Sequence, residues 1–179
     1  MASFESPNSA LKSPSSSSSA EQDLRLRFAG KWVKVKDDGF RALLVWLGVP
    51  WLLSFVAVRK TVNFQVSFED NDASEAGTMI VDGDERIERI PLNGDFIDST
   101  MTMPFVRTVQ CNASWKDGEA CTMVMKRIDH TVGKNKPYPT EATITRRISP
   151  DGNTIVSTLS ILRLSDNTTK EATLFLARQ

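Results

Sequence analysis

The chain has 179 residues, with 22 basic and 22 acidic side chains that cancel, 40% hydrophobic and 25% charged residues. That length suits one domain plus a tail, and the balanced charge argues against a nucleic-acid partner, which draws a basic excess. With one histidine, sites built on two or three imidazoles are excluded, and two cysteines, Cys111 and Cys121, do not make a disulfide scaffold.

The opening residues, MASFESPNSALKSPSSSSSA, are Ser-rich and lack the apolar core of a secretory signal. They offer almost nothing to bury, so a disordered tail is expected over residues 1–23 and a folded domain over 24–179. Ser6-Pro7 and Ser13-Pro14 have the form of proline-directed phosphorylation sites, although a plain solvated tail is the better reading of them. With no signal in view, cytoplasm is the expected location, and the sequons at Asn112 and Asn167 then meet no glycosylation enzyme.

A first strand is expected at Lys31–Lys36. Ala42 to Val58 is then almost wholly apolar and is followed by Arg59-Lys60, the look of a membrane span with a basic stop. It is short for a span, which needs about 17–25 residues, and Gly48 and Pro50 interrupt its centre. A proline interior to a helix removes a hydrogen bond and clashes with the preceding turn. Two short helices, Phe40–Leu47 and Trp51–Val58, explain the break, with Asp37 or Asp38 capping the first. Such a pair between the first two strands has the layout of a lid. Trp46, Trp51, Leu52 and Phe55 cannot all point into one cavity, so some are expected to face water or a bilayer surface, where Trp suits the interface.

The remainder reads as strand, turn, strand. Val62, Phe64, Val66 and Phe68 alternate with period two, as in a half-buried strand. Gly77–Asp82, Glu85–Ile90, Phe96–Met103, Phe105–Ser114, Glu119–Ile128, Glu141–Ile148, Thr154–Leu164 and Ala172–Arg178 follow, divided by turn signals such as Asp82-Gly83-Asp84, Pro104 and Lys116-Asp117-Gly118. About ten strands at hairpin spacing suit a mostly β protein, an antiparallel up-and-down barrel. Full closure would hide both edge strands, which favours a barrel over a sandwich. His130 falls in a polar connection and suits an exposed loop histidine better than a catalytic one.

One face of the eighth strand holds Ala142, Ile144, Arg146 and Ile148, so Arg146 is a cation on an apolar face. An unpaired buried charge is costly, and the residue calls for an anionic partner, either an internal carboxylate or a ligand head group. Arg107 shares a face with Phe105, Val109 and Cys111 in the same way, unless a bulge takes either side chain to the rim. Met79, Met101, Met103, Met123 and Met125 cluster in the strands; Met adapts to flexible apolar ligands, and a plain core explains the cluster equally well.

Several short motifs now fall in order: Phe28-Ala29-Gly30-Lys31-Trp32, Leu47-Gly48-Val49, Gly94-Asp95-Phe96-Ile97-Asp98-Ser99-Thr100, Trp115-Lys116-Asp117-Gly118 and Glu141-Ala142-Thr143-Ile144-Thr145-Arg146. On these the chain resembles the intracellular fatty-acid-binding proteins of the calycin superfamily, over roughly residues 24–179. The resemblance implies a ten-stranded calycin barrel with a helix-turn-helix lid that carries a hydrophobic small molecule, a fatty acid or something retinoid-like, as a monomer without cofactor or chemistry. It places the family's interior arginine at Arg146. The second arginine and the tyrosine of its R-x-Y motif fall on Leu174 and Leu176, so a neutral ligand stays open. Haem-binding calycins need a proximal histidine and do not fit. The candidate ligand residues are Arg146, Arg107, Met123, Met125, Leu174, Leu176, Phe64 and Phe55. A membrane-tethered protein, or a barrel isomerase or cyclase acting on a lipid, are the alternatives; a carboxylate near Arg146 or Arg107 would mark the enzyme.

Overall fold

The computed structural model describes residues 19–60, 62–71, 74–83, 86–101, 107–116, 122–130 and 139–179. In chain order these form α1 (Ser19–Phe28), β1 (Gly30–Asp38), α2 (Phe40–Trp46), α3 (Trp51–Arg59), β2 (Asn63–Asn71), β3 (Ser74–Gly83), β4 (Arg86–Pro91), β5 (Ile97–Met101), β6 (Arg107–Trp115), β7 (Thr122–Asp129), β8 (Thr140–Ile148), β9 (Thr154–Arg163) and β10 (Thr168–Arg178). The serine-proline pairs of the tail, Cys121, Pro104 and the turns at Asp84 and Asp117-Gly118 lie outside the described residues.

Every strand pairs antiparallel with its neighbour in sequence except β4 with β5, and two joins decide the shape of the sheet. The order β4-β3-β2-β1-β10-β9-β8-β7-β6-β5 shows where they fall. The first strand ladders with the last, Trp32 opposite Arg178 and Asp38 opposite Thr173, which rolls the sheet into a barrel. At the other join the roll stops short of full closure: β4 and β5 are the two ends of the sheet and no ladder joins them among the described residues. The connecting turn is instead tied to the far wall, where Gly94 N–H donates to the Ala113 carbonyl (3.2 Å) and Asn112 Nδ2 to the Gly94 carbonyl (2.7 Å). A nearly closed barrel with side chains across its slit is the result.

The apolar segment breaks where its glycine and proline stand. α2 ends at Trp46, Gly48 takes a positive φ of 89°, and Pro50 precedes the first turn of α3. No helix among the described residues is long and apolar enough to cross a membrane. The expected aspartate cap on α2 is absent. β1 continues through Asp38, and Gly39 occupies the cap position at φ 73° with no side-chain bond; Asp37 pairs with Lys34 instead (3.3 Å). Strand pairing outcompeted the cap.

Composition gave no warning of α1, which takes up residues 19–23 of the stretch expected to be tail. Its anchor is Arg25, which is buried and donates to Glu21 one turn back (2.8 Å) and to Asp70 at the end of β2 (2.7 Å). Gly77 makes room for it: a Cβ there would sit 2.8 Å from Arg25 Nη1, on a backbone already at φ 71°. The helix ends by inserting Phe28 into the barrel. Phe28 packs 5.4 Å from the Trp115 ring, Phe68 stands 6.1 Å from the same ring, and Trp32 Nε1 donates to the Phe28 carbonyl (2.9 Å). With Met79, Ile90, Met123, Met125, Ile148 and Ile155 these residues belong to one buried core. α1 therefore plugs one end of β1, while α2 and α3 follow its other end as a lid.

Candidate functional site

Beside the core lies a half-open cavity of about 210 Å³ whose walls include Phe64, Val81, Glu88, Arg146, Ser157, Leu174 and Leu176. Strand alternation puts these side chains inward, since Arg146 follows Ile144 and precedes Ile148 on one face of β8. Arg146 Cζ stands 5.0 Å from the Phe64 ring centroid, close enough for a cation–π contact. Its Nε is buried without a hydrogen-bond partner. Burial pushes the guanidinium down to about 10; Arg127 pushes the same way and Glu88 opposes. The cavity wall thus carries an under-satisfied cation on an apolar surface.

Close by, Arg127 Nη2 donates to Glu88 Oε2 (2.6 Å) and Ser99 Oγ to Glu88 Oε1 (3.0 Å). One carboxylate from β4 therefore reaches β5 and β7 and bridges the slit in the barrel. Sequence reasoning missed this group. Arg127 was legible, for it shares the period-two face of Met123 and Met125. Glu88 was not, because Ile87 and Ile90 lie on opposite faces of β4 and either could have been taken as inward; Ile87 is the exposed one.

The other candidate residues divide. Phe64, Leu174 and Leu176 join Arg146 on the cavity wall. Met123 and Met125 are fully buried in the core beside it, filling space where a ligand wall was expected. Arg107 stands on β6 opposite Met101, with its side chain outside the described residues. Phe55 packs within the lid, edge-on to Trp51 (5.5 Å) with Arg41 Cζ 3.4 Å above its ring. A larger cleft of about 280 Å³ is lined by Lys31, Asn63, Gln65, Asp82 and Gln179 with Trp32 and Phe64. That lining is mostly polar, and the smaller cavity is the one that pairs apolar walls with a buried cation, the combination expected of a ligand site.

Both lid helices are tethered. Arg163 Cζ lies 4.6 Å over the Trp46 ring at the end of α2, and the same guanidinium donates to Asp166, whose carboxyl that bond holds down at about 2. Lys34 donates to the Val58 carbonyl in the last turn of α3. Ser54 turns inward, while Trp51, Leu52, Leu53 and Val56 are 58 to 68% exposed. That leaves an apolar outer face beside Arg59 and Lys60.

These features define a ten-stranded antiparallel barrel with a helix pair between its first two strands, and solved structures show the same fold. Caenorhabditis elegans lipid binding protein 8 matches with a TM-score of 0.54 at 10% identity, over 86% of this chain and 96% of that one. Echinococcus granulosus fatty-acid-binding protein 1 matches at 0.55 and 17% identity, over 86% and 98%. The Schistosoma mansoni fatty acid binding protein in complex with arachidonic acid matches at 0.54 and 16%, over 87% and 98%. No family model and no curated protein matches the sequence.

Proposed function

We propose that the protein is a carrier that takes a small amphiphile with an acidic head, a fatty acid or a close relative, into the barrel, with the head at Arg146 and the tail against Phe64, Leu174 and Leu176. The observation that carries this reading is the unpaired Arg146 Nε on the cavity wall, in a fold whose solved neighbours include proteins named for lipid and fatty-acid binding as well as the fluorescent protein UnaG. Native mass spectrometry before and after delipidation tests the proposal: a stoichiometric lipid should leave and rebind, and a protein that takes up no acid in a chain-length panel would refute it.

Ligand transfer is proposed to occur at a bilayer, with α3 laying Trp51, Leu52, Leu53 and Val56 into the interface and Arg59 and Lys60 toward anionic head groups. In liposome co-sedimentation the chain should pellet with anionic vesicles and Leu52→Asp should abolish this. Equal sedimentation of the two would remove the lid from the account.

A second reading rests on Glu88, a carboxylate near Arg146 of the kind a barrel isomerase needs. Its two oxygens are engaged by Ser99 and Arg127, an arrangement suited to holding the barrel together. The carrier reading is preferred for that reason.

A further inference from the structure

Among the described residues, three charged groups meet at the cavity. Glu88 and Arg146 line it, and Arg127 lies off the wall, bonded to Glu88 at 2.6 Å. The carboxylate is 7% exposed, and both of its oxygens accept bonds from fixed partners on β5 and β7. Acidic side chains are seldom buried so far unless paired. Together the three groups carry two positive charges and one negative. Arg127 is ion-paired to Glu88, so among the described residues the unmatched positive charge falls on Arg146.

We propose that Glu88 is a built-in counter-ion that determines specificity: by occupying Arg127 it leaves the cavity one positive charge to satisfy, and so selects monoanionic head groups over both neutral and dianionic ones. The inference rests on the carrier reading and names the ligand charge that the cavity accepts. A monoanion at Arg146 brings the four groups to neutrality. A neutral head leaves the arginine uncompensated in a poorly solvated site, which is costly. A dianion leaves surplus negative charge in the same poorly solvated site, which is costly as well.

The test uses the delipidated full chain and three amphiphiles that share an eight-carbon tail: octanoate, octanol and octyl phosphate. At about pH 8 a phosphate monoester is dianionic, its second pKa lying near 6. The wild-type chain should prefer octanoate to each of the others by about tenfold or more, which is roughly 1.4 kcal/mol. Glu88→Gln keeps an acceptor for Ser99 but frees the Arg127 charge, and octyl phosphate should then gain at least about tenfold on octanoate by the same conversion. A ratio that does not move overturns the counter-ion role while octanoate binding leaves the carrier reading intact. If the wild-type chain binds none of the three, both readings fall together. Glu88→Gln with Arg127→Gln removes the pair as a unit and covers the case in which the single variant does not fold. This double variant retains Arg146 and should keep the wild-type preference for octanoate; loss of that preference overturns the proposal too.

Discussion

Trp32→Ala is expected to cost about 3–5 kcal/mol of folding free energy, the range for truncating a fully buried large aromatic. Trp32 has no exposed surface and sits in the core that α1 closes. The substitution opens a void beneath Phe28, releases the Phe28 carbonyl from the indole N–H, and uncovers Arg178, whose guanidinium stacks 4.5 Å from the ring. Trp51→Ala is the control within the same residue type. Trp51 is 58% exposed on the lid, so its loss should stay within about 0.5 kcal/mol, as for most surface changes. Urea denaturation followed by far-ultraviolet circular dichroism compares the two without relying on tryptophan emission. Costs of similar size would mean that the plugged end is not the stabilising core.

Arg146→Met should act with opposite signs on stability and on binding. Burial lowers the folded-state pKa of this arginine to about 10, below the value it has in the unfolded chain. The unfolded state then holds the proton more tightly, so the charged side chain costs stability at every pH below about 10, and the cost fades as pH rises from there toward the unfolded value. Removing the charge should make the ligand-free protein more stable by roughly 1–3 kcal/mol at neutral pH, in keeping with replacement of buried ions by apolar groups. Acidic ligands should bind more weakly by about 1.5–3 kcal/mol, the worth of a charged hydrogen bond, while the matching alcohol is spared. Thermal melts at pH 7 and ligand titration read the two effects separately. A less stable ligand-free variant would show Arg146 to be a structural residue, and equal losses for acid and alcohol would show that it does not hold the head group.

Those opposite signs are the physical mark of a binding group. A side chain retained at a cost to the empty fold needs a partner the empty fold lacks. Arg25 makes the contrast. It is buried too, but Glu21 and Asp70 pair its charge within the chain, and it serves to dock α1.

Local rules were readable along the chain. Period-two alternation located the strands and turned Arg146 inward, because successive side chains on a strand point to opposite faces whatever surrounds them. Gly48 and Pro50 broke the apolar segment into two helices, because a proline disrupts a helix interior from its own geometry. What the sequence alone left undetermined were the encounters between distant strands. β1 ran on to Asp38 because its pairing with β10 satisfied backbone groups that an aspartate cap would have left free. α1 formed where the composition read as tail, because Asp70 and the barrel end gave Arg25 and Phe28 somewhere to go. Met123 and Met125 were identifiable as inward but not as core rather than cavity wall, which depends on how much of the interior the aromatic plug occupies. By itself, then, the sequence determined the strand pattern, the split lid and the inward cation, since each follows from covalent geometry within a few residues. Only the tertiary structure decided that the cation shares its cavity with a paired Glu88, because curling the sheet is what brings β4, β7 and β8 around one space and gives a buried charge its neighbours.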